Sequence, residues 1–447
     1  MRGIRTISKS VRSPFGPRAG GGLPRVNTQQ EFAGRAISRQ YERTLLALLF
    51  FTWGTVFLDR MSQLYLAPYF APEFHLNNEQ IGLLASVLAI TWAVSGFLFG
   101  AVSDRIGRRR VLLPAVFVFS GLSVLSGLAR TFGELMLVRA LMGVAEGPCW
   151  SVITALIEES SPAEHRGRNV GWVVSAAALV GLAVAPVLST QVAARWGWRA
   201  AFFVAGVPGI VLGVLLAKLV REPKRDGSER GGGHGIQGVR DYLNVLRYRN
   251  VWLCALAAVG FMTWLFLENV FAPLYLTKVA GQSGTTAGFL LGATGLGSFV
   301  LAVLLPGLSD RIGRKPLLMC IAALSAAVPI ALLIPALYQH LWLLAAILFA
   351  ANGGQCMPAL VLVLVPTESV PARFAATAIG LVTLVGEVIG ATVAPAIGGR
   401  LAEQYGLAFP LWMSAGGTAI VFLAGMFLKE TVGARSGEQE LEPALAG

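Results

Sequence analysis

Twelve long apolar stretches dominate the sequence and limit the folds that it can adopt. A helix needs about 20 apolar residues to cross the hydrocarbon core of a membrane, and each stretch is of roughly that length. The stretches lack the alternation of polar and apolar residues that a membrane-spanning strand requires. The predicted spans cover residues 45–69, 80–102, 111–129, 133–156, 168–190, 200–220, 251–277, 285–307, 316–337, 341–364, 374–397 and 408–429. We therefore predict an all-α membrane protein.

One charged phrase occurs twice, at matching positions of two hydrophobic halves. Residues 103–109 read SDRIGRR and residues 309–315 read SDRIGRK. A second parallel relates residues 162–171 to residues 371–380. Such duplication is typical of transporters built from two related bundles. We predict a basic cytoplasmic tail, a first bundle, a cytoplasmic linker, a second bundle and a C-terminal cytoplasmic tail, at 1–43, 44–221, 222–250, 251–430 and 431–447.

The net charge of +12 would suggest a nucleic-acid partner if it lay on one soluble face. Most of the 36 Lys and Arg residues instead fall in segments on one side of the predicted membrane. The segments assigned to the outside hold Arg130, Arg195, Arg199, Lys278 and Arg400. By the positive-inside rule, both termini are cytoplasmic in a multi-pass protein of the cell inner membrane, and no nucleic acid is bound. Residues 1–43 also resemble an organellar transit peptide, but a cytoplasmic tail is the favoured interpretation.

The segment 100–109, GAVSDRIGRR, resembles the loop signature of the major facilitator superfamily. The resemblance covers the membrane portion and implies twelve transmembrane helices in two pseudo-symmetric six-helix bundles. It also implies that the Asp and Arg of the duplicated loops form a cytoplasmic latch, in which the Arg pairs with acids across the gap between the halves. The gating residues predicted in this way are Asp104, Arg105, Arg108, Asp310, Arg311 and Arg314.

Several ionisable residues fall inside the predicted spans, where they are costly and usually functional. The first span holds Asp59 and Arg60, and the fourth holds Arg139 and Glu146. Arg139 and Glu146 are seven residues apart and therefore share one helix face. Asp59 and Arg60 point about 100° apart, so one can face a neighbouring helix while the other faces a cavity. A network that merely neutralises itself is the structural alternative, and a functional site is favoured.

A finer resemblance rests on residues 58–62 (LDRMS), residues 139–147 (RALMGVAEG) and residues 196–202 (WGWRAAF). These segments are similar to the anion:cation symporter family, which includes proton-coupled carriers of sugar acids and other organic carboxylates. The resemblance places the family's functional charges on Asp59, Arg60, Arg139 and Glu146. The sequence departs from the family at Ser62 and over residues 147–150, which leaves the substrate open.

Charge counting predicts how substrate and proton would be coupled. Two acids and two arginines make the site of the first half neutral, and a substrate carboxylate would add an uncompensated negative charge. Protonation of Asp59 or Glu146 removes that charge and frees an arginine to bind the anion. We therefore predict Arg60 as the main anion ligand, Asp59 and Glu146 as proton carriers, and Arg139 as the group that tunes Glu146. No cofactor or metal is expected, since the proton gradient drives transport.

Further residues are predicted to line the substrate cavity. The predicted substrate-binding set is Arg60, Tyr65, Trp264, Asn269, Asn352 and Glu387. Neither Glu268 nor Glu387 has a basic partner in its own span. Both acids are either protonated at rest or face a wet cavity near substrate hydroxyls, and Glu268 alternatively lies near the outer surface with Lys278.

Two other transport functions are alternatives that the sequence supports less well. A proton-antiport exporter of drugs or metabolites also uses acids in the first and fourth spans, but Arg60 beside Asp59 would repel cationic drugs. Organophosphate exchangers use a second Arg in the seventh span, where this sequence has Glu268 and Asn269. The sequence has no nucleotide loop, metal cluster or nucleophile motif, so we predict that it is not an enzyme. The expected partners are a small organic anion, protons and the lipid bilayer, and we expect a monomer.

Overall fold

A computed structural model of the chain describes residues 39–162, 165–222, 245–371 and 374–431. Most of the predicted N-terminal tail, linker and C-terminal tail therefore lies outside the described residues. Within the described ranges the secondary structure is helical, without strands. Among the described residues, twelve helices are long and apolar enough to cross a membrane, as the sequence predicted.

The first half contains α1 (Arg39–Phe70), α2 (Asn78–Ile106), α3 (Arg108–Leu128), α4 (Phe132–Ser160), α5 (Arg166–Trp196) and α6 (Trp198–Leu219). The second half contains α7 (Arg249–Lys278), α8 (Gly284–Ile312), α9 (Arg314–Leu332), α10 (Leu341–Glu368), α11 (Thr377–Tyr405) and α12 (Ala408–Phe427). Each predicted span corresponds to one of these helices.

Four glycines make the relation between the halves visible in the backbone. Gly107 separates α2 from α3 with φ 115°, and Gly313 separates α8 from α9 with φ 99°. Gly197 and Gly406 separate α5 from α6 and α11 from α12, with φ 84° and 87°. These conformations favour glycine because it lacks a Cβ. The glycine of each duplicated loop therefore supplies the sharp turn between two spanning helices.

The tenth spanning helix, α10, is irregular along its length. Its α-helical part, Leu341–Ala351, ends at Asn352 and is followed by a 3₁₀ turn at Gly354–Cys356 and a π-helical segment at Ala359–Leu364. Two consecutive glycines after Asn352 weaken a helix, and Pro358 cannot donate a backbone hydrogen bond. Similar π-helical segments occupy corresponding places in α5 (Ala177–Val184) and α11 (Gly386–Val393).

The two halves meet where α2 packs on α11 and α5 packs on α8. A Cβ at Gly288 of α8 would collide with the Pro186 carbonyl of α5, so the glycine permits close packing there. On the other pair, the Ser86 hydroxyl donates to the Thr392 carbonyl at 2.6 Å. These contacts lie toward the end of the membrane region that is farther from the duplicated loops.

Candidate functional site

Arg60 lies on α1 between the two halves, with only 4% of its surface exposed. Its guanidinium carbon is 4.9 Å from the ring centroid of Phe266 on α7, 5.1 Å from that of Trp92 on α2 and 6.0 Å from that of Phe57. Its Nη2 lies 3.8 Å from Oε2 of Glu387 on α11. Arg60 is therefore held by aromatic faces and by one carboxylate that belongs to the opposite half.

The guanidinium of Arg60 retains capacity for another anion. Its Nε and Nη2 atoms are buried without a hydrogen-bond partner among the described residues, and so is Oε2 of Glu387. A separation of 3.8 Å is an ion pair without a hydrogen bond. Because a guanidinium carries five N–H donors in a fork that matches a carboxylate, these groups can bind an organic anion.

Asp59 and Arg139 lie inside the first half. The Ser123 hydroxyl of α3 donates to Oδ1 of Asp59. Arg139 donates from Nη2 to the Ser126 hydroxyl at 2.8 Å, lies 5.0 Å from the ring of Phe202, and interacts electrostatically with Asp59. Of the two orientations left open by the sequence, Asp59 thus faces a neighbouring helix and Arg60 faces the centre.

Glu146 on α4 is completely buried. Both of its carboxyl oxygens lack a hydrogen-bond partner among the described residues. It interacts electrostatically with Asp59, Arg60 and Arg139, so the four charges form one connected group. A buried carboxyl in such a setting can exchange a proton, and the roles of Glu146, Asp59 and Arg139 in coupling stay predictions.

The other predicted binding residues lie on α7 and α10 of the second half, except Tyr65, which lies on α1. The Tyr65 hydroxyl of α1 donates to Oδ1 of Asn269 on α7 at 2.7 Å and so joins the halves. Asn269 lines a small cavity together with Trp264, Glu268 and Asn352. Glu268 is only 3% exposed and lines this cavity.

Sequence reasoning left the environment of Glu268 open, although its neighbours in the sequence resemble those of Asp59. Residues 57–60 of α1 read FLDR, and residues 266–269 of α7 read FLEN. Both segments have the pattern Phe-Leu-acid and lie on the first helix of their half. Phe57 and Phe266 both contact Arg60, while Glu268 follows Phe266 as Asp59 follows Phe57.

The duplicated loops carry a duplicated ion pair. Nε of Arg108 lies 3.2 Å from Oε1 of Glu159 at the end of α4, and Nη2 of Arg314 lies 3.0 Å from Oε1 of Glu368 at the end of α10. Each of these pairs lies within one half, whereas the sequence predicted pairing across the gap. Extending the parallel between residues 162–171 and 371–380 by three residues would have identified both acids.

A second pair of acids caps the helices that follow the loops. Glu222 accepts from the backbone N–H groups of Arg108 and Arg109 at 2.7 and 3.1 Å. Glu430 accepts from those of Arg314 and Lys315 at 2.9 and 3.1 Å. Carboxylates are stabilised at helix N-termini in this way.

The other four predicted gating residues do not test the predicted cytoplasmic latch. The side chains of Asp104 and Asp310 lie outside what is described, and those of Arg105 and Arg311 are exposed. The gating assignment therefore stays a prediction.

The first two residues of α6, Trp198 and Arg199, anchor the loop between α1 and α2. Glu73 in that loop accepts from Nε1 of Trp198 at 2.7 Å and lies 2.8 Å from Nη2 of Arg199. The hydrogen bond from Arg199, followed by that from Trp198, lowers the pKa of Glu73. This contact joins α6 to α1 at the end of the first half away from the duplicated loops.

Twelve spanning helices in two related halves, with buried charges between them, define a membrane transporter. The sequence matches the Major Facilitator Superfamily over residues 49–391 and 269–446. The chain belongs to this superfamily, and it is a transporter and not an enzyme.

Three relatives are transport proteins of bacteria. A probable 4-methylmuconolactone transporter of Cupriavidus pinatubonensis is 27% identical, over 84% of this chain and 87% of that protein. A cis,cis-muconate transport protein of Acinetobacter baylyi is 26% identical over 80% and 87%. A gentisate transporter of Corynebacterium glutamicum is 27% identical over 74% of each chain.

Solved structures share the fold. A bacterial homologue of the human lysosomal transporter Spinster, inward-facing and unoccupied, superimposes with a TM-score of 0.70 at 20% identity, covering 87% of this chain and 98% of that chain. The nucleoside transporter NupG (D323A mutant) gives a TM-score of 0.70 at 13% identity, over 86% and 99%.

Proposed function

We propose that this transporter is a proton-coupled symporter that takes up an organic carboxylate by alternating access. The observation that carries the proposal is the guanidinium of Arg60, which is buried between the halves with two nitrogens that lack hydrogen-bond partners in the described part of the chain. Unsatisfied buried donors are unfavourable, and a carboxylate would satisfy them bidentately.

The relatives support a carboxylate as the transported group. Muconate and gentisate, which give two of those proteins their names, are carboxylic acids. The identities of 26% and 27% support the class of substrate and leave the particular acid open. A sugar acid or an aromatic acid fits the proposal.

The balance of charges supports proton coupling. Asp59, Glu146 and Glu387 are buried around two buried arginines, so the fully ionised site already holds one acid in excess. An incoming carboxylate increases that excess, and burying unpaired charge is costly. Uptake of a proton together with the anion offsets this cost, without a cofactor.

The two alternative functions are less well supported. A doubly charged phosphate would need a second basic group, and the second half supplies Glu268 and Asn269 beside the site. Arg60 opposes the binding of a cationic drug.

We further propose a monomer in the cell inner membrane with both termini and the 222–250 segment in the cytoplasm. The distribution of Lys and Arg residues supports this orientation. Reporters inserted after residues 225 and 440 test it. Activity of a cytoplasmic reporter at both places is expected, and periplasmic activity at either place would contradict the orientation.

Uptake into liposomes containing the purified protein tests the function. With the outside acidic, the protein should accumulate radiolabelled gentisate or galactonate above equilibrium, and a protonophore should abolish accumulation. The Arg60→Ala variant should show no uptake, whereas an exposed arginine variant, Arg130→Ala, should behave as the parent. Accumulation that ignores the proton gradient would refute coupling.

A further inference from the structure

The carboxylate of Glu403 on α11 accepts a hydrogen bond from the backbone N–H of Asn78, the first residue of α2. The two helices belong to opposite halves, so this bond joins the halves. It lies at the end of the membrane region away from the duplicated loops, which is the outer end in the proposed orientation. Backbone N–H groups at a helix N-terminus have no partner within the helix, and a carboxylate there is stabilised. One acid of the second half therefore completes the N-terminus of a helix of the first half.

The first half caps another part of this N-terminus by itself. The Asn77 side chain accepts from the backbone N–H of Gln80 at 2.8 Å, and the Gln80 side chain accepts from the backbone N–H of Asn77 at 3.0 Å. This capping box involves residues of the first half alone, so it does not depend on the contact between the halves. The bond from Asn78 to Glu403, in contrast, can exist only while α2 and α11 are packed together.

The bond to Glu403 is the outermost of a regular series of contacts between α2 and α11. From the middle of the helices outward, the contacts are Ser86 with Thr392, Gly82 with Pro395, Asn78 with Gly399 and Asn78 with Glu403. Residues spaced by three or four lie on one helix face, so each helix presents a single face to the other. A Cβ at Gly82 would collide with the Pro395 carbonyl, and a Cβ at Gly399 would lie 2.6 Å from the Asn78 carbonyl oxygen. Close packing of the two backbones thus brings the Glu403 carboxylate to the end of α2.

The other contact between the halves, that of α5 with α8, has no acid at the corresponding place. Glu403 stands three residues before Gly406, which follows the last residue of α11. Ala194 stands three residues before Gly197, which follows the last residue of α5. The two pairs of helices therefore differ at their outer ends, since a carboxylate closes one pair and a methyl group stands at the matching position of the other.

We propose that Glu403 is an outer latch, a residue that stabilises closure of the outer end and must release Asn78 before that end can open. Glu403 is exposed, so the bond is weak enough to break in every transport cycle. A residue that stabilises one of two conformations shifts the equilibrium between them. The inference rests on the alternating access and the orientation proposed above, and it is independent of the substrate and of proton coupling.

Reaction of a buried cysteine with a membrane-impermeant maleimide, added outside intact cells, tests the latch. The reporter is Thr190→Cys, at a position of α5 that is 3% exposed and packs against Gly288 of α8. It therefore reports opening of the other helix pair and is insensitive to fraying of α2. Mass spectrometry of the labelled peptide separates this position from the four native cysteines.

The reaction rate should follow the fraction of protein that is open at the outer end. Glu403→Ala should raise the rate about threefold to tenfold, because α2 loses a charged cap only in the closed conformation. Glu403→Gln keeps an oxygen that can accept the hydrogen bond but lacks the charge, so its rate should fall between those of the parent and Glu403→Ala. Glu79→Gln, which removes the acid in the first turn of α2 itself, should keep the parent rate.

The outcomes separate the latch from the proposed function. An unchanged rate in Glu403→Ala would overturn the latch and leave carboxylate transport standing. An equal increase in Glu79→Gln would also overturn it, because any loss of charge at this helix end would then act alike. Arg130→Cys, in the exposed loop between α3 and α4, should react equally in the parent and in Glu403→Ala. Failure of Arg130→Cys to react from outside would overturn the proposed orientation and the latch with it.

Discussion

The carboxylate of Glu387 on α11 lies 3.8 Å from the guanidinium of Arg60 on α1, so one ion pair spans the two halves of the protein. Both side chains are buried. A substrate carboxylate that binds Arg60 must compete with Glu387, and a proton on Glu387 would remove the competitor. Under the proposed function, the pair would therefore link anion binding, proton binding and the contact between the halves.

Replacing Glu387 by Gln should release Arg60 for the substrate. We expect Glu387→Gln to bind the transported acid about threefold to tenfold more tightly at neutral pH, because a charged competitor is lost. Arg60→Ala should weaken binding by about tenfold or more. Equilibrium binding to detergent-solubilised protein measures both. Weaker binding by Glu387→Gln would show that Glu387 contacts the substrate directly.

A Glu146 variant tests the prediction that this residue of the first half carries a proton during transport. Glu146→Gln resembles a permanently protonated acid, so it should bind substrate but fail to accumulate it against a gradient. Exchange of internal for external substrate should survive, since it needs no net proton movement. Liposome uptake and exchange measure the two activities in the same preparation. Normal proton-driven accumulation by Glu146→Gln would move the coupling role to Asp59 or Glu387.

The two loop ion pairs should differ in their contribution to stability. The side chains of Arg314 and Glu368 are 10% and 18% exposed, whereas those of Arg108 and Glu159 are 15% and 36% exposed. Breaking the more buried pair should lower the free energy of unfolding by a larger amount. Glu368→Gln should therefore lower the apparent melting temperature more than Glu159→Gln does. Glu159→Gln should reduce the free energy of unfolding by about 1 kcal/mol or less. Glu158→Gln, the exposed neighbour, is the control. Equal effects of the two loop variants would contradict this ranking.

The contact of Glu73 with Arg199 should make a small, pH-dependent contribution. Because that contact lowers the pKa of Glu73, its stabilisation is present above the usual glutamate value of 4.5 and is lost as the pH falls below it. Because the pair is exposed, Glu73→Gln should reduce the free energy of unfolding by about 1 kcal/mol or less at pH 7. Apparent melting temperatures of parent and variant should converge as the pH falls below 4.5. A difference that grows on acidification would refute this, and Glu79→Gln in the following helix serves as the control.

The spanning helices were predictable because each must supply about 20 apolar residues, and buried charges such as Arg60 were conspicuous for the same reason. The partner of Arg60 was not predictable, because Glu387 is distant in the chain and its pairing depends on how α1 and α11 pack. The irregularity of α10 after Asn352 could have been expected from the two glycines that follow it, which weaken a helix.

Proton movement during uptake tests the central claim most directly. Liposomes containing the protein and a pH-sensitive dye receive an inward gradient of gentisate or galactonate, with no imposed proton gradient. The account predicts that substrate entry acidifies the interior, and that Arg60→Ala and Glu146→Gln abolish the acidification. Substrate entry without acidification, or with protons leaving the liposomes, would contradict proton-coupled symport.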